Sequence, residues 1–343
     1  MKIESLQVIR AYAACLVAMC HIYNDGWLPG ILVDFGAFGV DLFFVLSGFI
    51  MCYTAKLSEN KVHNAWYFMK RRVLRIFPIY LICAIPLIWW VTKAEGVKPP
   101  YFYIGNLLLL PSFTDDPEYR MALPPGWTLV YEMLFYYLFS FFLLWSTERK
   151  KVCLSVFSAL IIIVSLVNIL GAQGPRLSWV NFSYIVGDYQ VINFALGILL
   201  YFIYSKYKDR SIGLKTGVGV IILMSLISMI IMYAKLPRYI SHPIPAFVIV
   251  STILFVRNDA LGSAFWKKII FIGNASYSIY LTHFYFAFFK LKVITFVGRF
   301  IANRDLLVNA VDIVLLAGAI LAGCAFYLLI EKPIIKRVSA WTR

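Results

Sequence analysis

The sequence predicts an all-α integral membrane protein of about ten transmembrane helices, with one re-entrant or interfacial segment near residues 102–111. Two observations carry that prediction. Hydrophobic residues make up 62% of the chain and charged ones 14%, with a mean hydropathy of +0.80, whereas a soluble domain is about half apolar and a quarter charged. The apolar residues fall into repeated runs close to the ~20 residues a helix needs to cross a bilayer. The basic residues fall between those runs, so the net charge of +15 reads as a positive-inside pattern and not as a surface for nucleic acid.

The first run, 7–26, follows one early lysine and has no A-x-A-like cleavage site, so it is expected to stay as a span and not to leave as a signal peptide. Arg10 and His21 stand on it eleven residues apart, so they share a face and differ in depth by about 16 Å. The AYAACLVAMC between them carries no charge. An ionisable residue inside such a run is costly and marks a functional candidate. The plainer alternative has Arg10 snorkelling to the interface and His21 bonding a neighbouring carbonyl.

The second run, 36–55, contains FGAFGVDLFFVLSGFI. Gly36, Gly39, Gly48 and Ser47 suit close helix packing; only Asp41 exceeds what packing requires. Before the third run, 76–93, KRRVLRIFP groups Lys70, Arg71, Arg72 and Arg75. Arg71 and Arg75 share a helical face, and Arg72 neighbours Arg75. Such a group commonly anchors the cytoplasmic rim, but arginine forks also bind phosphate oxygens in pairs. FYIGNLLLLP at 102–111 is too short to cross and ends at Pro111.

The fourth run, 128–147, opens on a Pro-Pro-Gly turn and Trp127, and Glu132 and Tyr136 can bond across one turn of it. Runs at 152–170, 188–205, 212–234 and 243–256 add no candidate. In the ninth, 270–290, Tyr280 and His283 share a face; an aromatic belt accounts for the tyrosine and not for His283. The tenth, 308–330, closes at Glu331, where a salt bridge is expected, with the Arg71–Arg75 group as a candidate partner. His63 and His242 fall in loops and are assigned nothing. The six cysteines lack C-x-x-C spacing, so neither a disulfide framework nor a metal site is expected. No P-loop, internal repeat or low-complexity segment occurs.

Charge tests this count. With ten spans, 22 of the 32 lysines and arginines fall on the side of both termini and ten on the other. If 102–111 crossed, the later loops would change sides and the bias would largely vanish, so both termini are expected in the cytoplasm. The topology puts His21 five residues before the outer end of the first span, Asp41 five residues into the second, and Glu132 one turn into the fourth. His283 falls in the outer half of the ninth. Two imidazoles and two carboxylates are thus expected in one layer. A histidine beside a carboxylate can serve as an oriented general base for a hydroxyl attacking an acyl carbonyl; a proton relay uses the same residues.

These pieces, in this order, resemble membrane acyltransferase family 3, the integral O-acyltransferases that modify bacterial sugar polymers. The matching segments are IESLQVIRAYAACLVAMCH, FGVDLFFVLSGFI, FMKRRVLRIFPIY, PPGWTLVYEMLFYY, NASYSIYLTHF and the terminal EKP, and the likeness to the exopolysaccharide O-acetylating subgroup is greatest. The resemblance implies one membrane acyltransferase domain over 1–343 in the bacterial inner membrane. It implies an acyl-CoA donor, usually acetyl-CoA as co-substrate, and no permanently bound cofactor. Its Arg-ten residues-His motif falls on Arg10 and His21, its arginine-rich motif on Arg71, Arg72 and Arg75, and its Trp-Ser/Thr-Leu-x-x-Glu motif on Trp127, Thr128, Leu129 and Glu132. Glu4 stands where Asp is usual, and Gln7 where a basic residue is common.

The expected catalytic set is His21, Asp41 and Glu132, and the donor-binding set Arg10, Arg71, Arg72 and Arg75. Ser47, Tyr136, Tyr280 and His283 are supporting residues. The acceptor is a carbohydrate or lipid-linked sugar. Some members carry an extracytoplasmic hydrolase-like domain; with none read here, the acyl group would pass directly to its acceptor or to a separate partner. A proton-coupled transporter or flippase is the rival class, weakened by the lack of an inverted repeat. A scaffold or sensor would explain the spans and not the polar layers.

Overall fold

The computed structural model describes residues 3–23, 30–114, 116, 118–178, 180–299 and 303–340. Those residues form α-helices and no strand, with isolated bridges at Ser112–Asn181 and Ile212–Val256. In chain order the helices are α1 Ser5–Ile22, α2 Gly30–Phe35, α3 Phe38–Thr54, α4 Lys61–Glu95, α5 Pro100–Leu108, α6 Gly126–Leu143, α7 Arg149–Ile169 and α8 Phe182–Ile185. They continue as α9 Gln190–Tyr207, α10 Leu214–Tyr233, α11 Arg238–Ser241, α12 Pro243–Leu254, α13 Ala264–Asn274, α14 Ser276–Val297, α15 Arg304–Phe326 and α16 Lys332–Ala340. A π turn, Tyr327–Glu331, links the last two.

Seven helices among the described residues are long and apolar enough to cross a membrane, and shorter apolar helices cover Phe38–Thr54 and Tyr239–Leu254. The protein is therefore a membrane protein. Each of the ten expected runs coincides with a helix, although the ninth is displaced. The run 270–290 divides at Ala275 into α13 and α14. A Cβ on Gly273 would collide with the Gln7 carbonyl oxygen, so this glycine lets two backbones meet just before the break. The segment 102–111 lies largely in α5, nine residues long, which is too short to span.

The chain divides into two compact units. The first comprises Met1–Leu46 and Ile203–Glu331. Its centre is α1, which packs against α2, α12, α13, α14 and α15. Ala13, Ala14 and Ala18 are fully buried, and Ala14 meets Ala275 and Ile279. Small side chains let helices approach closely, which is what favours association in lipid, where burial of apolar surface gives little.

The glycine contacts fix the register within this unit. Gly36 faces Leu16 and Cys20, and Gly39 faces Ala13 and Val17, so the start of α3 runs antiparallel to α1. Extending that register puts Asp41 level with Ala13, about 12 Å below the level of His21 at 1.5 Å per residue. The expected pairing of His21 and Asp41 at one depth is corrected by this offset. Ala14 meets Ile279, and His21 meets His283, so α14 ascends alongside α1. His283 is the eighth of the 22 residues of α14, because that helix starts at Ser276 and not at 270; it stands level with His21, so the two imidazoles share one layer as expected.

The second unit comprises Ser47–Phe202 and Lys332–Arg343. Here α4 packs against α5, α6 and α16, and α6 against α7. Asn60 caps α4 by accepting from the His63 amide at 2.9 Å, and Gly96 ends it at φ 86°. Pro78 and Pro86 lie inside it. Fully buried Asn106 ties α5 down, donating to Phe102 O at 2.9 Å and Arg120 O at 3.0 Å and accepting from Ala122 N at 2.6 Å.

Candidate functional site

In the first unit two imidazoles meet. His21 occupies the last turn of α1, where helix carbonyls have free lone pairs, and its Nδ1 lies 2.9 Å from Val17 O. A carbonyl only accepts, so Nδ1 carries the proton and Nε2 keeps its lone pair. The same argument applies to His283, whose Nδ1 lies 3.1 Å from Ile279 O. Its Nε2 is therefore an acceptor, and it stands 3.4 Å from His21 Nδ1. The His21 proton is shared between a strong and a weak acceptor. The ring centroids are 5.0 Å apart, and Tyr280 stands 5.9 Å from His283. His283 is fully buried, and His21 is partly exposed.

The expectation that a carboxylate fixes the His21 tautomer is thus corrected: a backbone carbonyl one turn back does so. Arg10 belongs to this same unit, where Tyr327 feels the charges of both Arg10 and Glu331. Glu331 accepts from Ser278 Oγ at 2.5 Å.

The sequence reading missed a buried polar cluster here. Lys290, the residue at which the expected run 270–290 ends, lies within α14, which continues to Val297, and is buried. Lys290 Nζ lies 2.7 Å from Asp312 Oδ1 and donates to Ile22 O at 2.9 Å. Tyr23 OH donates to Asn309 Oδ1 at 2.9 Å. A lysine and an aspartate 22 residues apart in two apolar runs were the available signal. His242, left unassigned in the sequence, is also buried, 2.7 Å from Ser241 Oγ and edge-on to Phe38.

In the second unit Arg71, Arg72 and Arg75 line one cleft of about 120 Å³ with Thr54, Lys56 and Tyr67. Buried Arg72 donates to Thr54 Oγ1 at 3.0 Å, and its guanidinium carbon lies 5.2 Å from the ring centres of both Phe68 and Tyr136. Beside two rings that meet edge-on, it is held by cation–π attraction as well as by its hydrogen bond. Arg71 and Arg75 make no hydrogen bond or ion pair among the described residues, and Arg71 lies over the Tyr67 ring. Arg149 donates to Ala55 O at 2.5 Å on the wall of the same cleft. The Arg71 and Arg75 forks beside a locked Arg72 offer donors of the geometry that suits phosphate or carboxylate oxygens.

Next to it, Tyr136 OH donates to Glu132 Oε1, and Ser47 Oγ donates to the same oxygen at 3.0 Å. The bond across one turn expected between Glu132 and Tyr136 is present, and Ser47 is more than a packing residue. Trp127 packs edge-on against Tyr131, whose hydroxyl donates to buried Asp188 at 2.7 Å.

Comparison with known proteins gives the family of the chain. A family model described as an acyltransferase domain matches residues 3–329. This chain belongs to that acyltransferase family. Its relatives include the O-acetyltransferase OatA of Staphylococcus aureus, 26% identical over 367 residues and covering 98% of this chain. The acyltransferase-family chain spans 57% of OatA's own length. The acyltransferase MdmB of Streptomyces mycarofaciens is 23% identical over 97% of this chain and 91% of MdmB. The exopolysaccharide production protein ExoZ of Rhizobium meliloti is 24% identical over 88% of this chain and 90% of ExoZ. No solved structure matches the chain.

Proposed function

We propose that this acyltransferase is a ten-span O-acetyltransferase of the bacterial inner membrane, with both termini in the cytoplasm. It takes acetyl from cytosolic acetyl-CoA and passes it to a hydroxyl of an exopolysaccharide, an O-antigen sugar or a lipid-linked sugar. The observation that carries this reading is the fixed tautomer of His21, whose Nδ1–H bonds Val17 O and whose Nε2 is left as a base. Nε2 removes the proton of the acceptor hydroxyl as its oxygen attacks the thioester carbon. The C–O bond forms, the C–S bond breaks, and the CoA thiolate leaves and takes up a proton. The imidazolium that forms keeps Val17 O and His283 Nε2 as acceptors for Nδ1–H.

Arg71 and Arg75 bind the donor's phosphates, and Arg72, fixed by Thr54 and its two rings, holds their geometry. Glu132 keeps Ser47 and Tyr136 ordered beside this cleft. Asp41 and Arg10 act within the histidine unit: Asp41 as a buried carboxyl, Arg10 at the level of Tyr327. Because Val17 O already sets the tautomer, neither carboxyl is needed for that task.

Purified protein in vesicles with acetyl-labelled acetyl-CoA tests the reading. Release of CoA with label transferred to a polysaccharide fraction is the expected result. Uptake of label into vesicles without CoA release would assign the protein to transport. Surface polysaccharide from cells lacking the protein should lose O-acetyl groups.

A further inference from the structure

We infer that Lys290, held by Asp312, is a positioning residue for His21. The inference rests on the reading of His21 as the base. Its observation is independent: the Lys290 ammonium donates at 2.9 Å to the carbonyl of Ile22, the residue next to His21 and the last of α1. A helix C-terminus leaves four carbonyls without helical partners, and a cation there satisfies one of them and complements the helix dipole. In this protein the final turn of α1 also carries the Val17–His21 hydrogen bond. Fraying of that turn would release Nδ1 from Val17 O and let the ring rotate.

The cost of the arrangement shows that it is specific. Lys290 and Asp312 are both buried, at side-chain exposures of 9% and 0%. Burying an ion pair gains little or nothing over an apolar pair of the same volume, so stability alone does not account for it. What an apolar pair cannot do is bond the Ile22 carbonyl. Tyr23 adds a second tie immediately beyond, through Asn309 on α15. The residues on either side of the α1 terminus are thus bound to α14 and α15.

K290M and K290M/D312L test the inference. The double substitution replaces the pair by apolar side chains, and by the argument above it should fold as well as the parent. Both variants are expected to lower kcat about tenfold or more, since a 1 Å misplacement at a catalytic group can cost on the order of 10²-fold. KM for acetyl-CoA should stay within about twofold, because phosphate binding is not touched. K290R, which keeps a donor for both Asp312 and Ile22 O, should recover much of kcat. A folded K290M/D312L protein with parental kcat would overturn the inference, as would a fall confined to KM. His21→Ala run alongside separates the two claims. If it leaves transfer intact, the base reading fails; if it abolishes transfer while the double variant keeps it, only the role of Lys290 fails.

Discussion

His283 directs its Nε2 at the Nδ1 of His21 across 3.4 Å, while each ring gives its own proton to a carbonyl one turn back. The two imidazoles are therefore unequal. His21 is partly exposed and keeps a lone pair on Nε2; His283 is fully buried. His21→Ala should lower acyl transfer on the order of 10²–10⁴-fold, the range of a lost general base. His283→Phe should cost much less, because Val17 O still holds the His21 tautomer. Single-turnover transfer from labelled acetyl-CoA in membranes with matched protein content checks both.

Arg75 offers a cleaner test of donor binding than Arg72. Having no hydrogen bond or ion pair among the described residues, Arg75 can be removed with little loss of stability. Arg75→Ala should raise KM for acetyl-CoA about tenfold, given about 1.5–3 kcal/mol for a charged hydrogen bond, and leave kcat nearly unchanged. An unaltered KM would confine this arginine to topology.

Tyr136→Phe removes one of two hydroxyls from Glu132 Oε1 and alters the ring under Arg72. Glu132 is half-buried, so losing one of its two donors should cost about 1 kcal/mol, the net worth of a hydrogen bond. Thermal unfolding in detergent should fall accordingly, and Ser47→Ala should act in the same direction with a smaller effect.

Gly39→Ala places a methyl against the Ala13 carbonyl oxygen. Separating α1 from the start of α3 should destabilise the protein by about 1–3 kcal/mol. Gly96→Ala meets open space, but its φ of 86° makes it a strained replacement at the end of α4. Thermal denaturation of the two variants compares a packing clash with a backbone clash.

Much of this was legible in the residues. Hydropathy alone located helices at each expected run, and the four-residue spacing of Glu132 and Tyr136 gave their bond. The arginine motif gave the cleft, because side chains three and four apart on one helix must converge. Depth was less legible. The run from 270 onward carries Gly273 and Asn274, which are helix-ending residues, but no proline, so hydropathy alone ran across the division at Ala275 and stopped the span at Lys290. Counting residues from assumed span ends aligned Asp41 with His21; contacts at Gly36 and Gly39 set the true register. The tautomer of His21 depended on a carbonyl, which every residue has and no composition reveals.

The length of α4 has one more consequence. Its 35 residues extend about 52 Å at 1.5 Å each, against roughly 30 Å of hydrocarbon. Counted back from Glu95, the 20 residues that follow Arg75 are enough to cross, which would set the arginines where the oily layer gives way to headgroups. On the proposed reading, a nucleotide gripped at that height would keep its adenine end wet, and only the slender, uncharged arm of the thioester would enter the greasy interior.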